Sequence, residues 1–318
     1  MQSYYQKIYG TSRGLICFSS SQEEQIYVWN PVINKYRSLP DAPVPSKDPP
    51  WSCKRTGLAF GYIGQIDDYK VIKLDINYRI QSEELQSDYA NVYIYSLSTN
   101  SWKTLRRYDF ARFRSYSSLY NSVVINGVAY WVLNHWNLQY DKDGFEVILC
   151  FDTVKETIRE MMLPPVCSEH NRNSTYYVNL VGEFDEVSLL CVDIDENIGQ
   201  LWMLEKEGET NNDWTKMITL NLKDVGEDWC PIGFNNNLEF VLINYDFDKP
   251  GLCTYDHKLE EVTEMVDDSS DLWSYADFED PYNPFFYSQE EMQPMYVNIF
   301  EESLVLLGEE GEVEFRDD

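Results

Sequence analysis

The sequence predicts an all-β protein folded as a β-propeller of about six four-stranded blades. Three observations carry that expectation. One design returns along the chain: an apolar run closes on an aromatic residue, a short polar turn follows, and a second run ends near Leu, Met or Pro. It reads WNPVINKYRSLP from Trp29, YSLSTNSWKTL from Tyr95, FDTVKETIREMMLP from Phe151, EKEGETNNDWTKMITL from Glu205 and YDHKLEEVTEMV from Tyr255. The starting points lie 66, 56, 54 and 50 residues apart, which suits propeller blades better than helical solenoid repeats. The runs also alternate apolar and polar positions, carry β-branched residues and are punctuated by Asn, Asp, Ser and Gly, while helical periodicity is weak throughout.

Taken in order, residues 1–9 (MQSYYQKIY) supply a first strand with Tyr4, Ile8 and Tyr9 as its apolar positions. The stretch GTSRG turns it into LICFSS, and QIYVWN and KYRSLP complete blade one. Blade two runs LAFGYIG, the turn QIDD, YKVIKLDI, a polar excursion to Tyr89, NVYIYSL and SWKTL. Blade three holds the strongest short-range hairpin signal, Asn126-Gly127 between SVVI and VAYWVL, because both residues tolerate the positive φ of a type I′ turn. EVILCFD and TIREMML finish it. Blade four reads YYVNLVG, VSLLCVDI, GQLWMLEK and WTKMITL, and blade five PIGFN, EFVLINYD, GLCTYD and EEVTEMV. The sixth is incomplete, since MYVNIF and LVLLG leave only VEFRDD. Radial repetition protects the edges that separate small sheets would expose, so residues 1–318 are expected to form one domain. Two stretches depart from the pattern. RRYDFARFRSYSSLY from Arg106 is the one place compatible with a turn or two of helix. Residues 267–294, acidic and aromatic with three prolines, read as an insertion between blades five and six.

Composition narrows the function. With 43% hydrophobic and 15% aromatic residues the chain can bury a core, which a disordered acidic chain cannot. A formal charge of −29 over 318 residues repels phosphate backbones and anionic membranes and attracts basic proteins. Neither nucleic acid nor membrane is expected as a partner. Seven cysteines, without a CxxC spacing and mostly inside apolar runs, read as core residues in a reducing compartment. No basic, apolar leader opens the chain and no run nears ~18 apolar residues, so a cytoplasmic or nuclear location is expected.

Blade topology sorts the connections. In a four-stranded antiparallel blade the first-to-second and third-to-fourth turns share one end, and these are short: GTSRG, QIDD, Asn126-Gly127, LSTN and DTVKE. The other end receives the long segments Asp41 to Arg55, Asn77 to Tyr89, Arg106 to Tyr120, Asn134 to Gly144, Pro165 to Thr175, Asp224 to Trp229 and Asp267 to Pro294. Long loops in compact domains are often functional, so this end is the expected binding face. It holds Trp51, Arg55, Tyr78, Arg79, Phe110, Arg112, Phe113, Arg114, Tyr116, Trp136, Tyr140, Trp273 and Tyr275, residue types that dominate binding energy at protein interfaces. The arginines at 106, 107, 112 and 114 pair more readily with the acidic insertion than with a nucleic acid, given the overall charge.

Chemistry finds no foothold of comparable strength. His135, His170 and His257 share no metal-ligand spacing. Asp193, Asp195, Asn197 and Gly199 fail the register of a calcium loop: the glycine stands seventh instead of sixth, and Leu204 occupies the twelfth position where a glutamate is needed. The run reads as a hairpin turn. GxSxG, HExxH, GxGxxG and P-loop signatures are absent. No catalytic, cofactor-binding or metal residue is therefore assigned, and binding is the expected activity.

The phrases GTSRGLICF, IYVWNPVINKYRSLP, LAFGYIGQIDDYKVIKL, VYIYSLSTNSWKTL, VVINGVAYWV and ILCFDTVKETIREMMLP resemble, in that order, the associated domain that follows the F-box in plant F-box proteins, a group that includes the self-incompatibility F-box proteins. The resemblance runs from Gly10 to about Gly308. It implies a kelch-like propeller that holds a protein substrate for a Skp1–cullin–F-box ubiquitin ligase, with no catalytic residues and with Trp29, Asn30, Pro31 and Trp102 in structural roles. The nine residues before Gly10 do not accommodate an F-box, so a Skp1-type adaptor is expected as a partner only of a longer product. An adaptor-free binding protein is the alternative, with a carbohydrate-binding or enzymatic propeller behind it.

Overall fold

The computed structural model describes residues 6–20, 25–43, 52–79, 88–105, 108–110, 117–135, 147–164, 176–183, 186–193, 196–204, 214–225, 229–235, 239–244, 251–259 and 261–266. They form five antiparallel meanders, each paired in chain order. Sheet I contains β1 (Gln6–Ser12), β2 (Leu15–Ser20), β3 (Ile26–Asn30) and β4 (Lys35–Ser38). Sheet II contains β5 (Ser52–Ile63), β6 (Asp68–Arg79), β7 (Asp88–Ser96) and β8 (Ser101–Thr104), with a short β9 (Tyr108–Phe110) also paired to β7. Sheet III contains β10 (Ser117–Ile125), β11 (Val128–His135), β12 (Val147–Asp152) and β13 (Thr157–Met162). Sheet IV contains β14 (Tyr176–Glu183), β15 (Glu186–Asp193), β16 (Ile198–Leu204) and β17 (Trp214–Asn221). Sheet V contains β18 (Trp229–Phe234), β19 (Phe240–Asn244), β20 (Gly251–Asp256) and β21 (Glu261–Val266). A 3-10 turn at Leu222–Asp224 is the one helical element among the described residues.

The all-β expectation and the first five blades match these sheets. Three details are corrected. β1 runs through Ser12, so its turn is only Arg13-Gly14 and not the whole of GTSRG. The stretch read as tolerant of helix instead gives β9 and the start of β10, because β7 offers Asp88, Tyr89 and Ala90 as ladder partners. Cys191 is disulfide-bonded, whereas Cys17, Cys150 and Cys253 are buried core residues outside any disulfide, as expected, and burial pushes the Cys17 thiol up. The sixth blade and the insertion at 267–294 lie outside the described residues.

The recurring hairpin has a physical basis in its turns. Arg13-Gly14 and Asn126-Gly127 are two-residue turns with φ of 43° and 76°, and 50° and 82°, as a type I′ hairpin requires. Five other hairpins use four-residue loops whose last residue takes positive φ: Asn34, Asp67, Asn100, Glu156 and Asn197. A side-chain oxygen at the strand end caps several of them. Asn30 Oδ1 accepts from the Val32 amide at 3.0 Å, Asp152 Oδ1 from Val154 at 3.0 Å and Lys155 at 2.8 Å, and Asp256 Oδ1 from Lys258 at 2.8 Å and Leu259 at 3.2 Å. These Asx turns explain why Asn or Asp recurs at that place. Asp193 Oδ1 likewise accepts from Glu196 at 3.0 Å, and the run that failed as a calcium loop is the β15–β16 hairpin.

The described chain divides into two compact units. One contains sheets I to III within Gln6–Leu163, and the other sheets IV and V within Pro164–Ile299. In the first, sheets I and II close over Leu15, Cys17, Val28, Leu58, Phe60, Val71 and Tyr95, while sheets II and III close over Ile72, Leu74, Ile76, Val92, Trp131, Leu149 and Phe151. Sheet II alternates faithfully: even positions of β6 face sheet III and odd positions face sheet I. Outer hairpins tie one sheet to the next, with Trp102 Nε1 donating to Pro40 O at 2.6 Å, Arg37 to Leu97 O at 2.9 Å and Tyr108 Oη to Glu156 O at 2.7 Å. In the second unit, Leu190, Val192, Leu220, Phe234, Phe240, Leu242 and Tyr255 form the core between sheets IV and V.

Asp68 bolts the two turns of sheet II together. Its carboxylate accepts from Lys70 Nζ at 2.6 Å, Ser96 Oγ at 2.5 Å and the Ser98 amide at 3.0 Å. Burial alone would raise its pKa, but the bonds from Lys70, Ser96 and Ser98 outweigh it and hold the carboxyl below its usual range. A depressed carboxyl stabilises the fold above its unfolded pKa, about 3.9, and that contribution is lost as pH falls through the lower folded value. We expect the thermal midpoint, followed by circular dichroism, to drop as pH falls below about 4, and Asp68→Asn to show a shallower drop than the parent chain. An equal slope in both proteins contradicts the assignment.

Candidate functional site

The end of sheet II opposite the 64–67 turn is where described structure and expected binding residues meet. β5 and β6 pair without a bulge over twelve residues each, Ser52 with Arg79 through to Ile63 with Asp68. This ladder is longer than the sequence suggests, and it absorbs positions assigned there to loops. Arg55 stands opposite Ile76, Tyr78 opposite Cys53, Arg79 opposite Ser52, and Phe110 opposite Asp88 on β9. All four are strand residues, a correction to the loop assignment, and the topology brings them to one end of one sheet. The cause is mutual pairing: Cys53, Thr56, Ile76 and Tyr78 suit a pleated ladder, and β9 extends β7 at the same end. Trp51, Arg112, Phe113, Arg114, Tyr116, Trp136, Tyr140, Trp273 and Tyr275 lie outside the described residues.

The same end carries a polar layer that sequence reasoning missed. On the face toward sheet I, the apolar row Phe60, Val71, Tyr95 gives way along the strands to Thr56, Asp75 and Asn91, which stand opposite one another across β5, β6 and β7. Asp75 and Asn77 are only 4% and 2% exposed. Thr56 Oγ1 donates to Asp75 Oδ1 at 2.7 Å, Lys73 Nζ lies 3.8 Å from Asp75 Oδ2, and Asn77 Nδ2 donates to Asp75 O at 3.3 Å. Asn77 Oδ1 and Asn91 Nδ2 are buried and have no hydrogen-bond partner. Asp75 lies within the run YKVIKLDI and Asn77 directly after it, where a polar residue signals a loop, so the local pattern does not reveal that both are buried.

The opposite end of the sheets is occupied by intramolecular contacts. The Arg13 guanidinium stacks over Tyr62 at 3.8 Å, Tyr62 donates from its hydroxyl to Asp67, and Gln65 Nε2 donates to Asn126 O at 3.1 Å. Trp29, Asn30 and Trp102 take the structural positions expected: Asn30 is fully buried as a turn cap, and Trp102 packs on Tyr95 while donating to Pro40. Among the described residues no group of three His, Cys, Asp or Glu could hold a metal ion, and no helix is long and apolar enough to cross a membrane.

Charge supplies a second feature that was countable but hidden by averaging. Residues 1–163 hold 18 Lys and Arg against 17 Asp and Glu, a net +1, and residues 164–318 hold 7 against 37, a net −30; the two give the total of −29. The change falls where the chain passes from one compact unit to the other. The acidity of this protein thus belongs to its C-terminal half.

Comparison with known proteins agrees with this architecture. A family model described as F-box associated beta propeller domain matches residues 5–305. The F-box protein CPR1 of Arabidopsis thaliana is 27% identical over 223 residues, covering 67% of this chain and 52% of that protein. An F-box/kelch-repeat protein of the same plant is 24% identical over 222 residues, covering 69% of this chain and 54% of that protein. The chain spans about half the length of these curated relatives. Among solved structures, an oligogalacturonate lyase from Vibrio parahaemolyticus aligns with a TM-score of 0.45 at 7% identity, covering 80% of this chain and 62% of that one. A likeness of that degree carries no functional reading.

Proposed function

This chain belongs to the F-box associated beta propeller family, and from that membership we propose that it is a non-enzymatic protein-binding module, the substrate-recognition part of a Skp1–cullin–F-box ubiquitin ligase. The family match from residue 5 to residue 305 is the observation that carries this reading. The names of the relatives, F-box proteins of a plant, support it. The aromatic and arginine content of the expected binding face fits a protein partner, since such residues supply most hot spots. A cytoplasmic or nuclear location goes with this reading, as does a Skp1-type adaptor recruited by an F-box in a longer product.

The partner is a basic protein. A net −30 in the C-terminal half attracts a cationic surface over distances up to about a Debye length, roughly 8 Å at physiological salt, and speeds encounter more than it tightens the final complex. Affinity capture with this chain as bait tests the reading. The captured partner should associate more slowly as salt rises from 50 to about 500 mM, with a smaller change in dissociation. Trp136→Ala and the double variant Arg112→Ala/Arg114→Ala should each weaken the complex by about 2 kcal/mol per hot-spot residue, without changing the circular dichroism. Partners that bind both variants unchanged, or associate at a salt-independent rate, sink the face assignment and the charge assignment respectively. Co-precipitation of the adaptor with a longer product that carries an F-box, and not with this chain, separates a ligase subunit from an adaptor-free binding protein.

A further inference from the structure

We propose that the far side of sheet I is an internal docking surface whose occupant is residues 300–318 of the same chain, so that this segment clamps the first blade from the side opposite sheet II. β2 and β3 carry the unbroken apolar runs LICF and IYVW. That is the pattern of a sheet covered on both faces, whereas a sheet wetted on one face alternates apolar with polar. Leu15, Cys17, Ile26 and Val28 fill the near side, in the core shared with sheet II. On the far side Ile8, Phe18 and Tyr27 form one cross-strand row, and Ile16, Trp29 and Tyr36 form the next. Ser38 and Thr11 complete the two rows, so neither carries a charge. Phe18 stacks on Tyr27 at 5.3 Å and Tyr27 meets Tyr36 edge-on at 5.8 Å. The rings therefore make one continuous patch, half-buried at Phe18, Tyr27 and Tyr36, with Ile8 43% exposed at its edge. A contiguous apolar patch of this kind marks a contact surface.

Three observations select the occupant. Residues 300–318 group with sheets I to III in one compact unit. Within that unit sheet II covers the near side of sheet I, and sheet III lies on the other face of sheet II, so neither covers the far side. The far side of sheet III offers no alternative, because Tyr130, Val132, Ile148 and Cys150 are at most 6% exposed. The segment also has the matching chemistry. Residues 304–307 (LVLL) are an apolar run, 308–311 (GEEG) are a turn signal, and Val313 and Phe315 alternate with Glu312 and Glu314, the pattern of a hairpin whose second strand is apolar on one side only. Its eight carboxylates against one arginine give a net −7. Sheet I meets that charge without opposing it, since its described residues 6–20 and 25–38 include Lys7, Arg13, Lys35 and Arg37 and no Asp or Glu. Sheet II, by contrast, carries Asp68, Asp75 and Asp88 on its strands, and sheet III Asp152 and Glu160.

The test places a photocrosslinking phenylalanine analogue at Tyr27, and separately at Tyr36, in the full chain. After irradiation, peptide mass spectrometry should find both positions joined to residues 303–315 of the same molecule. Val313→Asp, which sets a charge against an apolar face, should cut each adduct about tenfold. Mixing isotope-labelled with unlabelled protein before irradiation separates an internal contact from a second copy. As an independent readout, Tyr27→Ala and Phe315→Ala should each lower the urea midpoint, and the double variant should fall by less than the sum of the two, as expected of residues in contact. Adducts that join labelled to unlabelled chains overturn the proposal in favour of a second copy. Adducts to any other segment, or none at either position, overturn it outright, and so does strict additivity of the two midpoint shifts.

Discussion

Replacing Trp131 by alanine is expected to lower the free energy of unfolding by about 3 to 5 kcal/mol, read as a shift of the urea midpoint with an unchanged slope. Trp131 is the largest fully buried side chain of the described residues and is 1% exposed. It sits on β11 inside the core shared by sheets II and III, among Ala59, Leu74, Val92 and Leu149. Its indole nitrogen lies 3.4 Å from the Leu58 carbonyl, so alanine removes a sheet-to-sheet hydrogen bond along with the packed ring. Trp131→Phe should recover most of the packing and cost less. If alanine and phenylalanine prove equally damaging, the hydrogen bond rather than the core volume governs this position.

Gly61→Ala should cost about 1 to 3 kcal/mol, at the upper end of the range for overpacking. A Cβ on Gly61 would lie 2.5 Å from Val124 Cβ and 2.7 Å from Val124 Cγ1. The first of these atoms is fixed to the backbone and cannot swing away, so β5 and β10 would have to part. Combined variants separate the two contacts. Val124→Ala removes Cγ1 but keeps Cβ and should rescue Gly61→Ala only in part, whereas Val124→Gly should rescue it further after correction for its own effect. Additive effects in denaturant titrations would show that the two strands do not press on each other here.

These residues show where sequence reading succeeds and where it stops. Strands such as Ile26–Asn30 and Val128–His135 were legible because their alternation and turn residues are local, and Asn30, Asp152 and Asp256 at the outer hairpins of sheets I, III and V each cap their own loop. Pairing between distant segments was not legible. Nothing near Tyr108 announces that β9 will join β7, nor does the neighbourhood of Gly61 reveal Val124 above it. Arg55, Tyr78 and Arg79 were identified by residue type and assigned to loops, but the β5–β6 ladder carries them on strands because each strand prolongs the other. Asn77 shows the limit most clearly: a polar residue after an apolar run reads as the start of a loop, and only the fold buries it at 2% exposure. The disulfide of Cys191 escaped for the same reason, since pairing of thiols depends on distance in space.

The strap from Trp102 to Pro40 also bears on how the chain is made. The two residues are 62 positions apart, and the core of sheet I is shared with Tyr95 and Leu58 on the sheet that follows. A ribosome adding about 5 to 20 residues per second needs roughly 3 to 12 s to cover that distance. For that interval the first four strands are complete in sequence but have no neighbour to close against, and their apolar face is exposed to solvent or to a chaperone. Sheet I therefore matures only when sheet II emerges, so that its folding waits one blade behind synthesis.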